Sequence, residues 1–129
     1  MNTDSDSGII TFKSPWSFAE TVQRIEATLL ARNIKLFSVI DQSAEAAAAG
    51  LQLRPTTLLI FGDPRGGTPL MERYPTLALD LPLKALVWEA GPAEVYVDLT
   101  SPEFLQKRHH LAVAPFSPVI DLFAALLGT

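Results

Sequence analysis

The chain has 129 residues, 48% of them hydrophobic and 19% charged, with a formal net charge of −4 and no cysteine. This is the composition of one globular domain rather than a disordered chain, and it excludes disulfides, thiolate metal sites and cysteine nucleophiles. The acidic balance opposes non-specific binding to nucleic acid or an acidic membrane, and no apolar run approaches the ~20 residues of a bilayer span.

Residues 1–8 are polar and acidic. They read as a disordered tail with no secretory signal, so a single domain over 9–129 and a cytoplasmic location are expected. Ile9 to Lys13 is rich in β-branched residues and predicts a strand. Ser17-Phe18-Ala19-Glu20 has the capping-box pattern, and Phe18, Val22, Ile25 and Leu29 follow at helical spacing, so a helix with one apolar face begins here. Asn33 suits its left-handed terminator, with Ile34 folding back. Lys35 to Ile40 predicts a second strand. Ser43 caps a short alanine-rich helix that Gly50 ends. Thr56 to Phe61 is apolar on both faces, the pattern of a strand covered on both sides.

Gly62 to Gly67 reads as a loop by composition. Thr68-Pro69 then predicts a short helix from Leu70 to Tyr74, stopped by Pro75. Residues 76–82 read as irregular or a single turn. Lys84 to Ala90 and Glu94 to Leu99 predict a hairpin. Ser101-Pro102 opens a helix running to about His109. Ser117-Pro118 opens a last one, about 118–127, which is apolar nearly all round and must be covered by protein.

The loop Gly62-Asp63-Pro64-Arg65-Gly66-Gly67-Thr68 lies between a strand and a helix, a place that suits an anion. Glycine N–H groups, a helix start, Arg65 and the Thr68 hydroxyl all offer donors there, and one glycine with positive φ is expected. A tight structural turn is the competing reading, with Asp63 folded onto those N–H groups. His109 and His110 are the two histidines. Neighbours on a helix point about 100° apart, so they do not chelate one metal, and Lys107 and Arg108 beside them suggest a solvated helix end. Asp41 and Asp80 each end an apolar segment and could form an acid/base pair, although Asp41 before Ser43 also suits a local cap. No hydrolase elbow, zinc-protease motif or catalytic triad can be assembled.

Four spaced motifs carry a resemblance. They are Arg54-Pro55-Thr56, the strand ending Phe61-Gly62-Asp63-Pro64, Gly67-Thr68-Pro69-Leu70-Met71, and Asp80-Leu81-Pro82-Leu83-Lys84. In this order they resemble domain-of-unknown-function family 302 of bacteria and archaea, over about residues 9–111. The resemblance implies an α+β domain in β-α-β(4)-α order. Its sheet would be mainly antiparallel, of about five strands with helices on one face, like half of the TATA-binding-protein saddle, here with an added C-terminal apolar helix. It also implies a homodimer. Many members have His where this chain has Gln42, which weakens any shared histidine chemistry, while His109 keeps the second family histidine.

The leading expectation is a homodimeric binding or interaction module. A small acidic or phosphorylated ligand would sit near Arg54, Gly62, Arg65, Gly66, Gly67 and Thr68. The alternative is an enzyme using Asp41, Asp80 and His109 around the same loop. Neither a cofactor nor a metal is implied, and neither nucleic acid nor a membrane is expected as a partner.

Overall fold

The computed structural model describes residues 1–4 and 6–128; Ser5 in the expected tail and Thr129 at the expected domain end lie outside the described residues. The strands are β1 (Asn2–Asp4), β2 (Ile9–Lys13), β3 (Lys35–Asp41), β4 (Thr56–Gly62), β5 (Leu83–Gly91) and β6 (Glu94–Thr100). The helices are α1 (Phe18–Ala31), α2 (Gln42–Ala48), α3 (Pro64–Arg73), α4 (Pro102–His109) and α5 (Ser117–Leu127), with a 3-10 turn at Pro75–Leu79. The strands form one sheet in the order β1-β2-β6-β5-β4-β3. Every neighbouring pair is antiparallel. The domain is therefore α+β as expected, with one strand more than expected.

The extra strand corrects the reading of the N-terminus. Asn2–Asp4 pairs with β2, and the Asp4 carboxylate accepts from the Asp6 and Ser7 N–H groups to close the turn. Short polar side chains gave no apolar anchor to read, because this edge strand is held by backbone pairing.

Alternation along each strand sorts side chains to two faces. On one face Ile10, Phe12, Leu59, Phe61, Ala85, Val87, Val95, Val97 and Leu99 are buried. Helix α1 meets them with Ile25 and Leu29, and α5 with Phe123 and Leu127. Phe61 and Phe123 stack at 5.8 Å between centroids. The strands β2 and β3 run in the same direction at separated positions, and α1 crosses the sheet between them, touching β3 and β5. The periodic face of α1 is the one that packs.

The C-terminal end of α1 is also as the residues suggest. Asn33 has φ 57°, its N–H bonds the Leu30 carbonyl at 3.1 Å, and the Ile34 N–H bonds the Leu29 carbonyl at 2.9 Å. This is the paired bonding of a Schellman turn. The capping box is half formed. Ser17 accepts from the Glu20 N–H, but the Glu20 carboxylate takes Arg24 instead of reaching back.

Helix α5 is covered less than its composition suggests. Phe123 and Leu127 are buried, whereas Leu122 and Leu126 remain half-buried and Ala125 is exposed. The second sheet face carries Thr11, Ile40, Leu58, Ile60, Leu86, Trp88, Tyr96 and Asp98, all half-buried and none fully buried. The strand expected to be covered on both sides is thus fully covered on one.

Candidate functional site

The segment after β4 begins a helix three residues after the strand's last core residue. Asp63 is extended, its carboxylate accepts from the Arg65 N–H at 3.0 Å, and Pro64 occupies the first helical position. Proline fits there because its missing N–H would be an orphan anyway. The Gly66 and Gly67 N–H groups bond the Asp63 carbonyl. Residues 64–68 are therefore the first turns of α3, not a loop, and Pro69 lies inside the helix. Gly62, Gly66 and Gly67 all lack the positive φ expected of a reversal. An Asp-Pro cap turns the chain without left-handed backbone.

This helix start forms one wall of a cleft of about 570 Å³. Gly62, Gly66, Gly67, Thr68, Leu70 and Met71 line it from β4 and α3. Phe37 lines it beside Gly62, in a bulge where the β3–β4 register slips between Leu36 and Ser38. Ile34 comes from the Schellman turn, Leu81 to Leu83 from the approach to β5, and Phe116, Pro118 and Val119 from the start of α5. Phe61 closes the floor. Gly67 is buried, and a Cβ placed on it would lie 3.8 Å from both Leu81 and Met71. The small residue keeps the cleft open.

The expected ligand residues divide. Gly62, Gly66, Gly67 and Thr68 line the cleft, while Arg65 does not. Arg65 is 76% exposed and pairs with Asp63 at 3.0 Å through its Nε. That guanidinium, then the Arg65 N–H, hold the Asp63 carboxyl below its ordinary value of 3.8. Arg54 precedes the other end of β4 and lies over the Trp88 ring at 5.9 Å. Six residue steps of strand, roughly 20 Å, separate Thr56, two positions after it, from Gly62.

The three residues of the enzyme reading divide as well. Asp80 and His109 meet, with Asp80 Oδ2 at 2.5 Å from His109 Nε2 and Thr76 Oγ1 at 2.9 Å from His109 Nδ1. Arg108 adds its Nε at 3.5 Å from Asp80. His109 is 8% exposed, so the solvated helix end describes His110 and not His109. Asp41 pairs with Thr57 near the far end of β4, roughly 13 Å along the strand from Phe61. There it caps α2 through the Ala44 N–H at 2.9 Å. Ser43, expected as that cap, bonds the Thr56 N–H instead. Among the described residues no group of three or more His, Asp or Glu could hold a metal ion, and no helix is long and apolar enough to cross a membrane.

Phe37 and Phe116 were not singled out as site residues, and Met71 and Leu81 stood only as members of family motifs. Each is an ordinary apolar residue, and nothing in its neighbours marks it as part of a shared cleft. The available signals were Met71 and Leu81-Pro82, each inside a motif already noted.

The family model described as "Domain of unknown function DUF302" matches residues 10–122. The chain belongs to the DUF302 family. A crystal structure of an uncharacterized conserved DUF302 protein from Bacillus stearothermophilus has the same fold, with TM-score 0.76 and 16% identity over 94% of this chain and 96% of that one. Two curated proteins named fluoride-specific ion channel are also similar. FluC 1 of Brucella suis and FluC 2 of Brucella melitensis are each 42% identical over 124 residues. That stretch is 96% of this chain but only 48% and 45% of theirs, so this DUF302 chain spans about half the length of the curated relatives it matches.

Proposed function

We propose that the chain is a binding module that takes a small, largely apolar molecule into the cleft between α3, the β3 bulge and the start of α5. The cleft carries this reading. Its volume of about 570 Å³ lies within the ~300–1,000 Å³ of small-molecule sites, and such sites combine an apolar lining with few polar groups. An anionic ligand is less well supported, because Arg54 stands apart and Arg65 is spent on Asp63.

In the curated relatives the matching domain sits in proteins named as fluoride-specific ion channels. No helix among the described residues is long and apolar enough to cross a membrane. The names of these relatives support an ion-conducting membrane protein as the module's partner.

The test is a fluorescence titration with Nile red, an uncharged apolar dye, on the wild-type chain and on Gly67→Leu. The variant puts a side chain into the cleft at a helical position where leucine is favoured over glycine by roughly 0.8 kcal/mol. The expected result is saturable binding by the wild type, weakened about tenfold or more in a variant of undiminished melting temperature. A wild type that does not bind the dye, or a variant that binds it equally, contradicts the proposal.

A separate observation favours self-association through the second sheet face. Asp98 is the carboxylate at its centre, and both oxygens are already supplied, one by the Thr11 hydroxyl and one by Trp88 Nε1 at 2.7 Å. A carboxylate prepaired in this way loses less when water is removed. Ile40, Leu58, Leu86 and Trp88 around it are only half-buried. A second copy covering this face would make an isologous homodimer. Sedimentation velocity should give a dimer at micromolar concentration and a monomer for Leu86→Lys. A monomeric wild type contradicts self-association and leaves the cleft proposal standing.

A further inference from the structure

The cleft has one polar pole, and its character is that of an acceptor. Asp63 and Thr68 are the two lining residues with polar side chains. The donors that a helix start usually offers are consumed internally. Asp63 Oδ1 takes the Arg65 N–H and the Arg65 Nε, and the Asp63 carbonyl takes the Gly66 and Gly67 N–H groups. Pro64 has no N–H to give. An anionic head would meet a carboxylate and a spent carbonyl, with the Thr68 hydroxyl as its single side-chain donor. By contrast, Asp63 Oδ2 accepts no hydrogen bond from any described residue, and an ionised carboxylate has about four acceptor positions to fill.

Resting on the reading of the cleft as a binding site, we infer that its ligand has an apolar body and a head that donates hydrogen bonds to Asp63, as an aliphatic amine or alcohol does. The same body ending in a carboxylate or phosphate is rejected. Discrimination arises from both sides. The donor head fills the open Asp63 oxygen with a charge-assisted bond. The anionic head cannot donate to that oxygen and adds like-charge repulsion, the repulsive element on which selectivity often depends. Arg65 does not reverse this, because it stands outside the lining and its Nε is taken by Asp63 Oδ1, which leaves Oδ2 as the acceptor open to the cleft.

The experiment displaces Nile red from the wild-type chain with octylamine, 1-octanol and octanoate at neutral pH, three probes with one body and different heads. Octylamine and 1-octanol should displace the dye at concentrations about tenfold or more below octanoate. Asp63→Asn, which keeps a good cap residue, should bring octylamine and octanoate to within about threefold of each other. Octanoate competing as well as octylamine on the wild type overturns the inference while the cleft remains a binding site. So does an amine preference that survives in a folded Asp63→Asn. A wild type that takes up no dye overturns both readings together. The central comparison uses the wild type, so a variant that fails to fold cannot rescue the inference.

Discussion

Two residues show how much a single backbone or carboxyl group decides here. Gly8 has φ +73°, and a Cβ on it would stand 2.3 Å from the Phe104 ring. Its carbonyl also receives the Ser101 N–H at 2.7 Å, so it joins the β1–β2 turn to the start of α4. Gly8→Ala must accept left-handed backbone, at roughly 1–2 kcal/mol, and push the ring aside. Urea unfolding should therefore show a loss above about 1 kcal/mol, whereas a neutral substitution would contradict this packing. Asp63 is the second. Its carboxyl is held below 3.8 first by the Arg65 guanidinium and then by the Arg65 N–H. A carboxyl lowered by folding contributes stability above its unfolded value, and that contribution is lost as pH falls through the folded value. A carbon-detected titration of the Asp63 side chain should give a midpoint below 3.8, and a midpoint above it would mean that the cap is not formed.

At the scale of elements, the tie between the 3-10 turn and α4 runs through His109. Asp80 accepts from Nε2, which leaves Nδ1 to accept from the Thr76 hydroxyl when the ring is neutral. His109→Ala removes both partners' bonds and should cost about 1–3 kcal/mol. His110→Ala, one position on and exposed, should stay within about 0.5 kcal/mol. Thermal or denaturant melts of the two variants check this, and equal effects would contradict it. The elements themselves were unevenly legible. Helix α1 could be read to its terminator because its spacing, cap and Asn33 agree. Helix α3 could not, because Gly66-Gly67 and Pro69 have poor helix propensity. The Asp63-Pro64 start and the packing of Gly67 against Leu81 and Met71 override that propensity. The burial of His109 was masked by Lys107 and Arg108, which lie beside it in sequence and are exposed, even though Arg108 reaches the same Asp80.

For the whole molecule, the antiparallel sheet with helices on one face was legible through the family resemblance, while the residues themselves showed the β5–β6 hairpin, a local signal. The cleft was not. Its walls come from the ends of α1 and β4, the β3 bulge, α3, the approach to β5 and the start of α5, and only the tertiary fold brings these together. The DUF302 motifs mark two of those segments, residues 61–64 and 67–71, and the approach to β5 at 80–84. Their meeting in one cleft gives them a common physical role, which is to build its walls.

The most direct test is to titrate 1-octanol into the isotopically labelled chain and follow backbone amide shifts. Phe37, Gly62, Gly67 and Leu83 should move together and saturate, while Leu86 and Tyr96 on the second sheet face stay in place. Shifts that do not saturate at the cleft, or that appear on the second sheet face instead, would contradict a binding module built around this cleft.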